Sequence, residues 1–131
     1  MKVHECVSFL LIDGDKVLLE KRSDNKELSA NSINIPGGHI EQGESQVQAL
    51  CREINEELQV VPISYNYLCS LYHPTSEFQL LHYYVVDRWV GNISAQEADQ
   101  VEWHDMLAAP VEIEADKLAL SEYQRVSPYL R

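Results

Sequence analysis

Apolar residues dominate Val3–Ile12, which reads as a strand; Asp13-Gly14-Asp15 reads as a hairpin turn and Lys16–Lys21 (KVLLEK) as the strand that returns from it. Ser23–Ser32 is polar and reads as a loop. Ile33–Ile35 is a short strand running into Pro36-Gly37-Gly38, a turn signal. From Glu44 to Leu58 the pattern becomes helical. At about 100° per residue, Val47, Leu50, Cys51, Ile54 and Leu58 fall on one arc, the expected buried stripe. Pro62–Tyr72 and Gln79–Val90 are β-rich, separated by His73–Glu77 (HPTSE). Gly91–Gln100 reads as a loop and Val101–Trp103 as a short strand. Asp116–Val126 reads as a closing helix with Asp116 near its N-cap. Several strands with two helices predict a mixed α/β or α+β layer fold.

The first helix carries an unusual load. Glu53, Glu56 and Glu57 share an arc beside the apolar stripe, with Arg52 next to them. Like charges at i,i+3 and i,i+4 destabilise a helix by a few tenths of a kcal/mol per pair. A solvated acidic face, with Arg52 pairing to Glu56, would account for them if the helix stood alone. A hard divalent cation among them is the functional alternative, because Mg²⁺ takes carboxylate oxygens and keeps positions for water or phosphate. Gly37-Gly38 just upstream fits a plain bend, or a backbone that comes close to metal or phosphate.

The spacing favours the second account. Gly38, five residues, Glu44, seven residues, then Arg52-Glu53-Ile54-Asn55-Glu56-Glu57, one residue, and Gln59-Val60 resembles the signature of the Nudix hydrolases, G-x5-E-x7-R-E-U-x-E-E-x-G-U with U a bulky aliphatic. One defined position differs: Gln59 stands where the pattern has glycine. Glycine there suits a left-handed helix end, and another residue in that conformation costs about 1 kcal/mol. The segments KVLLEKR, NIPGGHIEQGE, and WVG with EADQVEW extend the resemblance over most of the chain, least in the tail from about Pro110.

The resemblance implies an α/β/α sandwich with a mixed β-sheet, one domain over residues 1–131, and Mg²⁺-dependent hydrolysis (Mn²⁺ being an alternative) of a nucleoside diphosphate linked to another group. By position, Glu56 and Glu57 match the principal metal ligands, with the Gly38 carbonyl assisting. Glu53 matches a metal ligand or general base, and Glu97 a downstream acid with either role. Arg52 matches the residue that orients a glutamate, and Glu44 one that supports the helix start and the arginine. As a residue in a first helical turn, Glu44 would also carry a favourable charge. Arg22 at the end of the second strand and Asn34 stand where relatives contact substrate and base, and Gly37 belongs to the same substrate-facing turn.

The resemblance leaves the substrate open between (deoxy)nucleoside triphosphates, as in MutT-like members, and ADP-ribose or another nucleotide sugar. Ile33 stands where many relatives carry tryptophan, which counts against a role in clearing oxidised purine triphosphates. Gly37 replaces a lysine common among dinucleoside-polyphosphate members. A non-catalytic nucleotide sensor, or a simple cation binder, is the alternative of another kind.

Composition adds bounds. A net charge of −11 repels nucleic-acid backbone and anionic membrane, so neither a duplex nor a membrane is an expected partner. An anionic substrate therefore needs local positive charge, which a bound cation supplies. Val7–Ile12 is too short to span a membrane. Three cysteines at no metal-ligand spacing suggest a reduced, cytoplasmic setting, with a homodimer among the states open to the chain. Tyr83, Tyr84 and Trp103 fit a core as well as a base-stacking role, and His39 and His82 have no metal-ligand spacing.

Overall fold

The computed structural model describes residues 1–22, 32–96, 98 and 100–130. Among these residues seven strands and two helices follow in the order β1 (His4–Asp13), β2 (Lys16–Arg22), β3 (Ser32–Asn34), β4 (Gly37–His39), α1 (Gln46–Leu58), β5 (Val61–Pro74), β6 (Phe78–Val90), β7 (Gln100–Asp105) and α2 (Glu114–Val126). Short 3₁₀ turns, Met106–Ala108 and Ser127–Tyr129, flank α2. The sheet is mixed, with β1 parallel to β6 and the remaining pairs antiparallel. Among the described residues no helix is long and apolar enough to cross a membrane.

The apolar run in β1 follows from burial on both faces. Leu10 and Ile12 point to one core, shared with Tyr83 and Val85 of β6 and with Ala115, Ala119 and Leu120 of α2. Phe9 and Leu11 point to the other, shared with Val86 of β6 and with Leu50, Ile54 and Leu58 of α1. The sheet is thus sandwiched between the two helices, as expected. Tyr83 and Tyr84 are core residues, while Trp103 stacks on Trp89 at 6.1 Å between ring centroids.

A split in the sheet makes the site. β1 and β2 pair only beside their hairpin, at Ile12↔Val17 and Asp13↔Lys16. Beyond that, β2 pairs with β3 and β7, and the first half of β1 pairs with β4, where Ser8 faces Gly37. Residues 36–38 are therefore not simply a turn. Gly37 and Gly38 lie in a short strand with ordinary backbone angles, and what they provide is closeness. A Cβ on Gly37 would fall 2.2 Å from the Val7 carbonyl oxygen, and one on Gly38 would fall 2.3 Å from the Glu53 carboxyl carbon.

Several boundaries differ from those the pattern suggests. The short strand is Ser32–Asn34, one residue early; the rest of the expected loop, 23–31, lies outside the described residues. The strand expected at Val101–Trp103 extends over Gln100–Asp105, because β2 pairs with it throughout. α1 begins after Ser45, whose hydroxyl accepts from the Gln48 amide while the Gln48 side chain accepts from the Ser45 amide, a reciprocal capping box. Glu44 consequently precedes the helix and is not in its first turn. α2 begins at Glu114, so Asp116 lies inside its first turn, fully buried, and does not cap it.

The buried stripe of α1 is also rotated. Ala49, Leu50, Ile54 and Leu58 are buried with Glu53 and Glu57, whereas Val47 is exposed and Cys51 only partly covered. The helix is rolled toward its acidic arc, which brings the Glu53 carboxyl against Gly38.

At its C-terminus Gln59 adopts φ 63°, the left-handed conformation expected there, and its amide donates to the Asn55 carbonyl at 2.9 Å. Gln59→Gly should raise stability by about 0.5–1 kcal/mol, read as a higher midpoint in denaturant with an unchanged slope.

Candidate functional site

Arg52 organises the acidic end of α1. Its Nε donates to Glu44 Oε2 at 2.6 Å, and Nη2 donates to Glu44 Oε1 at 2.8 Å and to the His39 carbonyl at 2.9 Å. Nη1 donates to Glu53 Oε1 at 2.9 Å and to Glu56 Oε2 at 3.2 Å. These contacts are as many as the N–H groups of a guanidinium, and the pair to Glu44 has the two-pronged geometry that a planar fork provides. One side chain thus ties α1 to the segment before it and to β4. The i,i+4 pairing to Glu56 is real, but it is one contact of several.

The electrostatics follow. Arg52, helped by the Glu41 amide, holds the Glu44 carboxyl down at about 2, so Glu44 stays ionised through the physiological range. The Arg52 guanidinium is in turn raised by Glu44 and Glu53. Glu56 points outward and is half-exposed. Glu53 and Glu57, one turn apart, are 8% and 3% exposed. Two acids this buried on one helix are costly unless cations offset them. Arg52 serves Glu53, and Arg22 Nη1 lies 3.6 Å from Glu57 Oε1.

Where the sheet splits, a cavity of about 570 Å³ opens, lined in part by Gly38, Glu53, Arg22, Asn34, Glu20 and Asp116. Gly37 also lines it. The structure therefore brings together Arg52, Glu44, Glu53 and Gly38, sets Arg22 beside Glu57, and places Asn34 in the same cavity. Glu97 lies outside the described residues. Asn34 Nδ2 donates to Ser32 Oγ at 3.2 Å, leaving its buried Oδ1 with no hydrogen-bond partner among the described residues. His82 is buried, bonded to Ser70 and Glu5, and His39 is exposed beside Glu77, so both histidines are structural or surface groups.

The donor set suits a hard cation: carboxylates and, on β4, a glycine backbone against which Glu53 packs. Among the described residues no three His, Cys, Asp or Glu side chains form a closed metal cage, and Glu56 accepts from Arg52. An open platform that relies on phosphate and water for its remaining ligands is what Mg²⁺ accepts.

Two cavity residues were not singled out as functional from the sequence. Glu20 is buried on β2 and shares the inward parity of Leu18, so a charge at an inward strand position was the available signal. Asp116 had no such signal, because its burial comes from the docking of α2. Its Oδ2 accepts from the Ile35 amide at 3.0 Å and its Oδ1 from the Tyr83 hydroxyl at 2.7 Å. Burial nevertheless pushes its carboxyl up to about 7, and drives the Tyr83 hydroxyl up as well.

Comparison with known proteins bears on the family and the fold. The family model described as NUDIX domain matches residues 2–125. The CTP pyrophosphohydrolase of Escherichia coli K12 is 32% identical over 104 residues, 79% of this chain and 76% of that protein. The 8-oxo-dGTP diphosphatase of the same organism is 26% identical over 107 residues, 81% and 82%. Among solved structures, the E. coli ORF135 protein superposes with a TM-score of 0.85 at 28% identity, covering 98% of this chain and 94% of that one. A MutT NUDIX hydrolase from Burkholderia pseudomallei gives 0.85 at 23% identity, covering 93% and 98%.

Two expectations follow from the site's charges. Arg52→Lys keeps the charge but loses the fork, and should destabilise the protein by about 2 kcal/mol in denaturant titrations. Asp116 releases its proton near pH 4 when unfolded but near 7 when folded, so the unfolded state binds fewer protons in between. Its contribution to stability is therefore full below about pH 4 and is lost as pH rises through 7. Asp116→Asn should remove a fall of about 2 kcal/mol between pH 5 and pH 8, measured as the difference between the two proteins at each pH.

Proposed function

The chain belongs to the Nudix family, and on that premise we propose that it is a Mg²⁺-dependent nucleotide pyrophosphohydrolase, a single catalytic domain of MutT-like type that hydrolyses (deoxy)nucleoside triphosphates to the monophosphate and pyrophosphate. The observation that carries this reading is the buried Glu53, clamped by Arg52 and lining a cavity with Arg22 and Asn34, with the buried Glu57 one helical turn on and beside Arg22.

Glu56 and Glu57, with the Gly38 carbonyl, would hold the cation. When bound, Mg²⁺ (or Mn²⁺) offsets charge on the phosphoryl oxygens and lowers the pKa of the attacking water. Glu53 would either take the proton of that water or complete the ligand set, a reading supported by its hydrogen bond from Arg52 and its closeness to Gly38. Glu97 is the second candidate for these roles. Arg22 faces the phosphates and Gly37 leaves room for them. The reaction adds water to one phosphorus, breaks the bridging P–O bond, and leaves two phosphate products with the released proton.

Asn34 supports a base-reading role. Its buried Oδ1 accepts no hydrogen bond from the described residues, and an exocyclic amino group is a donor that would meet it. The nucleotides in the names of both Escherichia coli relatives carry such a group. A reduced, cytoplasmic setting fits the free cysteines and this substrate class.

The test is a pyrophosphate- and phosphate-release screen over nucleoside triphosphates, ADP-ribose and other nucleotide sugars, with Mg²⁺, with Mn²⁺ and with chelator. Metal-dependent release of pyrophosphate from a triphosphate is expected. Glu53→Gln should cut turnover by about 10²-fold or more while the folded spectrum stays unchanged. Turnover confined to nucleotide sugars would move the substrate class. Folded protein that binds Mg²⁺ yet turns over nothing would leave a nucleotide sensor.

A further inference from the structure

Away from the cavity, four side chains form a run of hydrogen bonds that the nucleotide reaction does not use. Ser70 on β5 and His82 on β6 are register partners, and Glu5 on β1 lies diagonally beside His82. All three project from the sheet face that α1 covers further along, at Phe9, Leu11, Tyr84 and Val86. His82 Nε2 is 2.8 Å from Glu5 Oε1, and His82 Nδ1 is 2.6 Å from Ser70 Oγ. The Tyr67 hydroxyl is 2.7 Å from the same Oγ, its ring edge-on to Tyr84. None of the four lines the cavity at the split in the sheet.

The proton positions follow from one end of the run. An ionised carboxylate only accepts, so His82 donates through Nε2 and keeps Nδ1 as an acceptor. Ser70 has a single proton, which therefore goes to Nδ1, and the Tyr67 hydroxyl donates to Oγ. The imidazole is buried at 7% side-chain exposure, whereas Tyr67 is 52% exposed. The base is thus oriented from within, while the half-buried serine is approached past an exposed tyrosine.

We propose that these structural bonds also make Ser70 a nucleophile toward activated carboxylic esters, with His82 as its base, Glu5 orienting the imidazole and Tyr67 stabilising the oxyanion. A hydroxyl bonded to a base that a third group orients is the arrangement that makes a serine reactive. Ser70 Oγ adds to the acyl carbon while its proton passes to His82 Nδ1, and Glu5 offsets the imidazolium. Tyr67, no longer needed at an oxygen now bonded to carbon, turns its hydroxyl to the oxyanion. The proton then passes to the leaving alcohol as its C–O bond breaks. Water repeats the addition on the acyl-serine, which releases the carboxylic acid and restores the Ser70 hydroxyl.

Two reagents test this on the folded wild type: p-nitrophenyl acetate, and a fluorophosphonate, which leaves a phosphonyl group on a reactive serine as fluoride departs. Nitrophenol release and a single adduct mapped to Ser70 by mass spectrometry are expected, both falling to background in Ser70→Ala. His82→Gln should slow labelling about 10²-fold or more, and Glu5→Gln about tenfold or more. Tyr67→Phe should slow ester turnover by about tenfold or more. A serine that serves only the sheet would carry no adduct. That result, an adduct at another residue instead, or labelling of His82→Gln at the wild-type rate overturns the proposal. Should His82→Gln fail to fold, the exposed Glu5 decides, and Glu5→Gln labelled at the wild-type rate overturns it.

Discussion

The guanidinium of Arg52 is the constraint on which the site depends. It bonds three carboxylates and a main-chain carbonyl, drawing together α1, the residues before it and β4. Without it the acids of α1 would repel one another along one helical arc. With it, Glu53 is turned onto Gly38, where only a glycine leaves room for the carboxyl. The roll of the helix, the burial of Glu53 and Glu57, and the shape of the cavity wall all follow from that contact. Hydrogen bonds between ionised partners are stronger than neutral ones, and several converging on one planar guanidinium have the strength to set such an orientation.

The second constraint is the parting of β1 from β2. Two register pairs beside the hairpin hold them, and then each strand takes different neighbours. The parting lets β4 lie against β1 and opens the cavity next to α1. Asp116, on α2, closes this region from the other layer by accepting from the Ile35 amide just before the glycines. The cavity thus draws on both helices, although their apolar faces belong to separate cores. In a chain of charge −11, two of the ten lysines and arginines stand at this site: Arg52 on α1, hydrogen-bonded to three carboxylates, and Arg22 on β2, 3.6 Å from both Glu20 and Glu57.

Much of this was legible in the residues. Helix period made Glu53, Glu56 and Glu57 neighbours beside Arg52, since positions three and four apart share a face, while Gly38 and Glu44 were singled out by the resemblance to the family signature. The left-handed end at Gln59 was legible because the signature carries glycine at that position. Other features were misread where a local signal has two structural meanings. Pro36-Gly37-Gly38 looks like a turn, yet the glycines serve close approach in a strand. Asp116 looks like a cap, yet it is a buried acceptor. Glu44 looks like a first-turn acid, yet it lies before the helix.

The sequence by itself determined which residues share an arc or a strand face, since period and parity are properties of the local backbone. It also determined the chemistry available, a row of hard carboxylates around one arginine. Only the tertiary structure decided which arc of α1 turns inward. That choice balances apolar burial, to which Val47 and Cys51 would have contributed, against ionic contacts made by residues distant in the chain. It likewise decided that Glu20, Arg22 and Glu57 meet, because β2 and α1 come together only once the sheet has parted and the helix has docked. Ion pairs of that kind depend on distances in space, which a linear pattern does not contain.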